Sequence, residues 1–331
     1  MALMNVILSY MLKIFRRGYC WMFPLKKDVL IVNDEIKNTV SDLIRSSLES
    51  DKPCMIARFG ANELSAMLNC LSVKSSRHNF INYIRGREEQ WWWNKNIIRQ
   101  MQQNAGFFPS NPESISKFTD LMLNDLKQLD ILAYWIGSEK KLPLPQNCKY
   151  IHLLTLEPYW SSKPWSKALD GKKVVVVHPF AELIEHQYYN HRTELFDKPD
   201  VLPVFNLRTV KAVQSIGGDC NEFKNWFDAL LWMEREIDKE DYDICLIGCG
   251  AYGFPLAAHC KRHGKKAVHM GGALQLLFGI KGRRWENPDY CKIWGMKPEN
   301  LYLKMLSNKC WVRPDNYRTE KSQKVEDACY W

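Results

Sequence analysis

A chain of 331 residues is long enough for one large α/β domain or two smaller ones, and a hydrophobic fraction of 46% supports a sizeable core. Lys and Arg number 46 against 37 Asp and Glu, a formal charge of +9 that favours acidic partners, yet no run of like charge forms the stripe expected of a nucleic-acid binder. The 11 cysteines are odd in number and scattered singly without a C-x-x-C pair, so they read as reduced thiols of a cytoplasmic protein and not as a disulfide framework or zinc site.

Residues 1–23 are rich in Leu, Ile, Met, Tyr and Phe but are interrupted by Lys13, Arg16 and Arg17. The apolar run before Lys13 is shorter than the roughly 20 residues a bilayer span requires, and it lacks the order of a signal peptide. Two readings stay open: an interfacial amphipathic helix whose basic residues face anionic headgroups, and a helix packed on the domain. Residues 38–48 predict an amphipathic helix with Val40, Leu43, Ile44 and Leu48 on one face. A strand over 53–60 then leads into a helix over 63–71. Helices follow at 91–103 and 112–126, and strands at 131–136 and 150–154. Residues 172–177, with four consecutive valines, make the clearest buried strand, ended by His178 and Pro179. A shorter strand is expected over 201–205, and an amphipathic helix over 223–237 that delivers the chain into the strand 244–247. A glycine-rich turn, a helix with Pro255 in its first turn and a further strand complete the pattern at 248–272. The segment beyond Asn287 is rich in Trp, Tyr, Lys and Pro with weak periodicity.

Strands alternating with helices predict an α/β, Rossmann-like, doubly wound and mostly parallel sheet with helices on both faces. The economical division is an amphipathic segment at 1–23, one domain over 24–290 and an irregular tail at 291–331. In such sheets ligands sit beyond the carboxyl ends of the strands, which marks three places. The first holds Arg58, Gly60, Asn62 and Glu63: an arginine there can clamp a diphosphate, and the glutamate can hold a metal or act as general base. The alternative is an Arg–Glu ion pair. The second holds His178 and Glu182, able to orient an acceptor hydroxyl or assist its deprotonation; the alternative is a capping histidine and a solvated glutamate. The third is the turn Gly248, Gly250, Tyr252 and Gly253 with His269, Gly271, Gly272 and Gln275. Close by in the chain stand Lys281, Arg283 and Arg284 as an anion clamp or a solvated basic loop.

The turn fits the G-x-G-x-x-G spacing of dinucleotide sites, but the following strand ends in His269, Met270, Gly271 and Gly272 with no acidic residue for a ribose. That argues against a nicotinamide or flavin cofactor.

The strand end Arg58-Phe59-Gly60-Ala61-Asn62-Glu63, with the late block over 246–272, resembles the GT-D-type glycosyltransferases and their relatives encoded in bacterial surface-polysaccharide clusters. The resemblance spans roughly residues 55–285, and its specific motifs lie at the two ends. It implies a Rossmann-like enzyme that binds a nucleotide-sugar donor and uses a divalent metal, Mn or Mg, with Glu63 as ligand. The acceptor it implies is a growing surface glycan, lipid-linked and met at the inner face of the plasma membrane. Where the family carries Asp-x-Glu, this chain carries Ala61-Asn62-Glu63, so only the glutamate is retained. Glu63 can then serve as the base while Arg58 and Lys281, Arg283 or Arg284 stabilise the leaving diphosphate. Two other readings are kept: an NAD(P)-dependent oxidoreductase acting on a sugar or sugar nucleotide, and a non-catalytic nucleotide-binding partner in polysaccharide assembly.

Overall fold

Four consecutive valines can all be buried only in a strand covered on both faces, and Val174, Val175, Val176 and Val177 are all fully buried. They belong to β4 (Lys173–His178), which lies inside a seven-stranded, all-parallel sheet of order β3-β2-β1-β7-β6-β4-β5. The other strands are β1 (Cys54–Ala57), β2 (Ile131–Tyr134), β3 (Lys149–His152), β5 (Asn206–Lys211), β6 (Ile244–Ile247) and β7 (Lys266–His269). The structure, a computed structural model, describes residues 2–24, 32–218, 220, 222–287, 290, 302–318 and 330–331.

Alternate residues of each strand feed two separate cores. Met55, Ala57, Val175, Val177, Cys245, Ile247 and Ala267 point to one face. Helices α3 (Ala61–Lys74), α5 (Lys95–Gln103), α6 (Pro112–Asp125), α8 (Trp226–Asp238) and α9 (Gly253–Arg262) supply the apolar residues that cover it. Ile56, Val174, Val176, Ile244, Leu246 and Val268 point to the other face, covered by α2 (Asp34–Glu49), α7 (Ala181–His191) and α10 (Leu274–Leu277). Tyr302, Leu306, Trp311 and Trp331 also belong to that second core. The described parts of 291–331 are thus packed against the sheet; the remainder of that expected tail lies outside the described residues.

Helix boundaries follow local chemistry. Asn33, Asn111 and Asn225 cap α2, α6 and α8 by accepting hydrogen bonds from first-turn N–H groups, and Pro112 opens α6 where its missing N–H costs nothing. Asn94 caps α5, so that helix begins at Lys95 and not at residue 91; Trp91 packs instead on Phe80 and Tyr83. The strand expected over 201–205 is displaced to β5. Pro203 lacks the N–H a ladder needs, whereas Asn206–Lys211 pairs in register with all six residues of β4.

Residues 2–22 form α1 (Ala2–Met22), packed on α4 (Phe80–Ile84). Of the two readings left open for this segment, packing on the domain describes Arg16 best. Arg16 stacks over the Tyr83 ring at 4.7 Å and donates to the Glu88 carbonyl at 2.7 Å, and Lys13 lies 5.6 Å from the Trp92 ring. Arg16 therefore faces the protein, where an aromatic face and a carbonyl replace the headgroups, while the exposed Lys13 lies along the surface beside Trp92. Beside Arg17, the outward residues include the large apolar side chains Ile7, Tyr10, Ile14, Phe15 and Trp21. Among the described residues no helix is long and apolar enough to cross a membrane.

Candidate functional site

Strand order decides where a ligand can sit. The chain leaves β1 toward β2 and leaves β4 toward β5, in opposite directions, then returns to place β6 and β7 between them. Successive connections therefore part above the carboxyl ends of β1, β7, β6 and β4, and a crevice opens there. A cavity of about 440 Å³ occupies it, within the range of small-molecule sites.

All three expected places meet on this cavity. Arg58, Gly60, Asn62 and Glu63 line it from β1 and the start of α3; Gly248, Gly250 and Tyr252 line it from the turn after β6. His178 contributes from β4, while His269, Gly271, Gly272 and Gln275 contribute from β7 and the turn beyond. Of the basic run only Arg284 lines the wall. Lys281 and Arg283 lie outside it, because the chain at 279–283 is drawn aside by hydrogen bonds of Lys281 and Arg283 backbone N–H groups to Val312 and Trp331 carbonyls. Glu182 is also outside: its exposed carboxylate accepts from Lys211 at 2.7 Å and from the Tyr317 hydroxyl at 3.1 Å.

Arg58 is the central cation. Its Nε is buried with no hydrogen-bond partner among the described residues, and no described carboxylate lies within ion-pair reach of it. Its guanidinium lies 5.6 Å from the Trp135 ring centroid. The Arg58–Glu63 ion pair is thus absent among the described residues. Glu63, at the third position of α3, folds its carboxylate back over Gly60 and is itself buried. A Cβ on residue 60 would lie 1.9 Å from Glu63 Oε2, so only glycine admits that conformation.

The two buried histidines have complementary hydrogen-bond polarity. His178 Nδ1 accepts from the Phe180 N–H at 3.0 Å, which leaves Nε2–H as the donor. Its one lone pair is used, so the base role expected of His178 gives way to a donor role. His269 Nδ1 lies 3.3 Å from the Ile247 carbonyl, which can only accept, so its proton is on Nδ1 and Nε2 is the acceptor. Burial lowers both rings to about 3, with the Arg58 charge adding to the effect at His269, so both are neutral at physiological pH.

The glycines divide by task. A Cβ on Gly248 would meet the Gly271 carbonyl, His178 and Leu274 within 3 Å, and one on Gly253 would lie 2.1 Å from the His269 ring. Gly250 has φ +60° with open space before it. Gly253→Ala is therefore expected to cost about 3 kcal/mol, since a buried ring must move. Gly250→Ala is expected to cost about 1 kcal/mol, the strain of a left-handed residue partly offset by a stiffer unfolded chain. Urea unfolding of the two variants measures the contrast, and equal losses would contradict it.

Tyr252 and Gln275 line the cavity as supports. The Tyr252 ring stacks on Trp226 at 4.8 Å and its hydroxyl lies 3.2 Å from Ser215 Oγ. Gln275 Nε2 donates to the Lys281 and Tyr330 carbonyls at 2.9 and 3.1 Å, fastening Tyr330 to the rim.

Several lining residues carried no signal in the sequence. Trp135 follows β2, and Tyr290, Tyr330 and Trp331 come from far along the chain. The Tyr330 ring lies against Gly272 and stacks with the Arg284 guanidinium at 4.7 Å. Behind Arg58 a small side cavity is lined by Arg58, Arg284, Tyr290 and Glu157. Glu157 Oε2 accepts from Tyr159, Trp160 and Tyr302 at 2.7, 2.7 and 2.8 Å, and burial still pushes its carboxyl up to about 7. An isolated glutamate in a connecting loop gave no hint of this.

No family model, curated protein or solved structure matches this chain. The site must therefore be read from its own chemistry. It offers an arginine unpaired among the described residues, a second arginine stacked on a tyrosine, a glycine turn at a helix N-terminus, one buried carboxylate beside them, and aromatic walls. Among the described residues Glu63 joins no cluster of three or more metal-ligating side chains. Among the described residues a divalent ion here would rest on that one carboxylate together with the oxygens of a bound diphosphate.

Proposed function

We propose that this chain is a glycosyltransferase that moves a sugar from a nucleoside-diphosphate donor to a hydroxyl of a growing glycan. The observation that carries the reading is the buried Arg58 Nε, left without a hydrogen bond among the described residues at the crevice where the β6 glycine turn opens α9. A cation held ready beside backbone N–H groups suits a diphosphate. In this reading the diphosphate lies between the Gly250 turn and Arg58, with Arg284 closing on it from the rim. The aromatic walls take the base and the sugar ring, and His178 Nε2–H donates to an oxygen of the donor. Glu63 accepts the proton of the acceptor hydroxyl as its oxygen bonds to the anomeric carbon. The bond from that carbon to the diphosphate breaks, and the arginines stabilise the charge that departs. The acceptor is a bacterial surface glycan, lipid-linked in the fullest form of the proposal.

Ligand-dependent melting tests it. UDP or GDP at a hundred times its Kd is expected to stabilise the protein by about 2.7 kcal/mol, and NAD(P) to leave it unchanged. Stabilisation by NAD(P) alone favours a sugar oxidoreductase, and silence across the panel favours a non-catalytic partner.

The outward apolar face of α1 supports a place at an anionic membrane surface. Phe80 and Ile81 of α4 are exposed beside it, flanked by exposed Arg77, Arg85 and Arg87, and Arg17 is exposed on α1 itself. Apolar insertion with a cationic rim is the pattern of a peripheral anchor. Replacing Trp21, Phe80 and Ile81 by Ser is expected to release the protein from phosphatidylglycerol vesicles while transfer to a soluble acceptor analogue is unchanged. Undiminished sedimentation with vesicles at low and high salt would refute the anchor.

A further inference from the structure

The sheet has a second chemical cluster, at the edge opposite the cavity. Helices α8 and α9 pack side by side on one face, and both run from the carboxyl edge of the sheet toward its amino edge. Their last turns and the turn after α9 therefore lie together, and each presents a pair of ligand-type residues four apart. These are Glu234 and Asp238 on α8, and His259 on α9 with His263 just beyond it. Residues four apart share a helix face, so the two pairs meet. His259 Nε2 lies 2.8 Å from Asp238 Oδ1, and His259 Nδ1 lies 3.6 Å from Glu234 Oε1. The His259 and His263 rings are 4.2 Å apart. One ligand atom from each of Asp238, His259 and His263 lies within 4.8 Å of the other two.

We propose that Asp238, His259 and His263 form a binding site for a divalent transition-metal ion, zinc being the best match, with Glu234 supporting His259 from behind. The supporting groups around the three ligands are what such a site requires. His263 Nδ1 lies 3.0 Å from the His259 carbonyl, so Nδ1 carries the proton and Nε2 is free to ligate. His259 has a carboxylate on each side, so Nδ1 faces Glu234 at 3.6 Å while Nε2 turns to the ion. A ring N–H held by a carbonyl or carboxylate is the usual backing of a ligating histidine. Two imidazoles and one carboxylate suit zinc, with water completing the shell. The ion replaces the proton that His259 and Asp238 share, and binding releases that proton to solvent. Two helix carboxyl ends add a favourable field for a cation. The basic residues of the same turn are engaged elsewhere: Arg262 by Asp125, and Lys261 by Asp130 at 2.7 Å. Because the cluster lies at the amino edge of the sheet, its role is to clasp α8 to α9 and not to touch the proposed donor.

The test uses the full chain, stripped with a chelator and titrated calorimetrically with Zn²⁺. One equivalent is expected to bind with a rise in melting temperature, and Co²⁺ is expected to give the visible bands of a four-coordinate site. His263 is exposed, so His263→Ala is expected to fold while affinity falls by at least tenfold, and Asp238→Asn to behave likewise. Glu63→Gln is expected to keep full zinc affinity, which separates this site from the proposed transferase centre. Cys310→Ser, at the other described cluster (His191, Glu194 and Cys310), is also expected to keep it. Absence of saturable binding would overturn the proposal and leave His259 held between two carboxylates. Binding unchanged in His263→Ala, or lost in Cys310→Ser instead, would overturn it equally.

Discussion

Glu63→Gln is expected to lower the proposed sugar transfer by about a hundredfold to ten-thousandfold, the contribution of a positioned general base, with the fold intact. The carboxylate is buried at the start of α3 and curls over Gly60, whose missing side chain leaves it room. Gln keeps that shape and loses the charge. Steady-state rates with a donor first identified by ligand-dependent melting provide the measurement, and circular dichroism confirms the fold. Turnover near that of the unaltered protein would remove Glu63 from the chemistry and leave it a helix-start residue.

Arg58→Ala separates binding from stability in the opposite sense. Most buried side chains contribute to the fold, and their loss lowers the melting temperature. Arg58 has a buried Nε without a hydrogen bond among the described residues, so it contributes little there and is available to the proposed diphosphate. Truncation is expected to leave the melting temperature of the ligand-free protein unchanged or slightly raised. Nucleoside-diphosphate affinity is expected to fall by about a hundredfold, the value of charge-assisted hydrogen bonds to a phosphate. Calorimetry and thermal melting on one preparation give both numbers. A large stability loss with affinity retained would assign Arg58 to the core.

Much of the fold was legible because it rests on local signals. Four valines in a row forced a strand covered on both faces, the Gly248 turn forced a strand-to-helix reversal, and asparagine caps set helix starts. The three strand-end clusters were also legible, since an open parallel sheet gathers such ends along one edge. Side-chain direction was harder. Glu182 stands close behind His178 in sequence, yet the first turn of α7 turns it outward to Lys211. Lys281 and Arg283 share a basic run with Arg284, but backbone pairing with residues 312 and 331 carries them off the wall. His178 became a donor through a hydrogen bond from the N–H two residues on, a detail no spacing encodes. Tyr330 and Trp331 reach the rim through tertiary packing alone. The contacts of Arg16 and Lys13 on α1 have the same origin, because Tyr83, Glu88 and Trp92 are distant in sequence.

The position of β7 has a consequence for how the molecule is made. Strands β3, β2 and β1 form one ribbon, and β6, β4 and β5 form another; β7 alone bridges them in the sheet, pairing Val268 with both Ile56 and Leu246. On a ribosome, β1 emerges some two hundred residues before β7, its neighbour on the side away from β2. Until then two apolar edges stand open, the geometry that recruits foreign strands. Closing a loop of that length before any reward is slow. The nascent chain is thus a natural client for chaperones, and a stop codon shortly before residue 266 would release two open three-stranded ribbons and not a smaller folded domain.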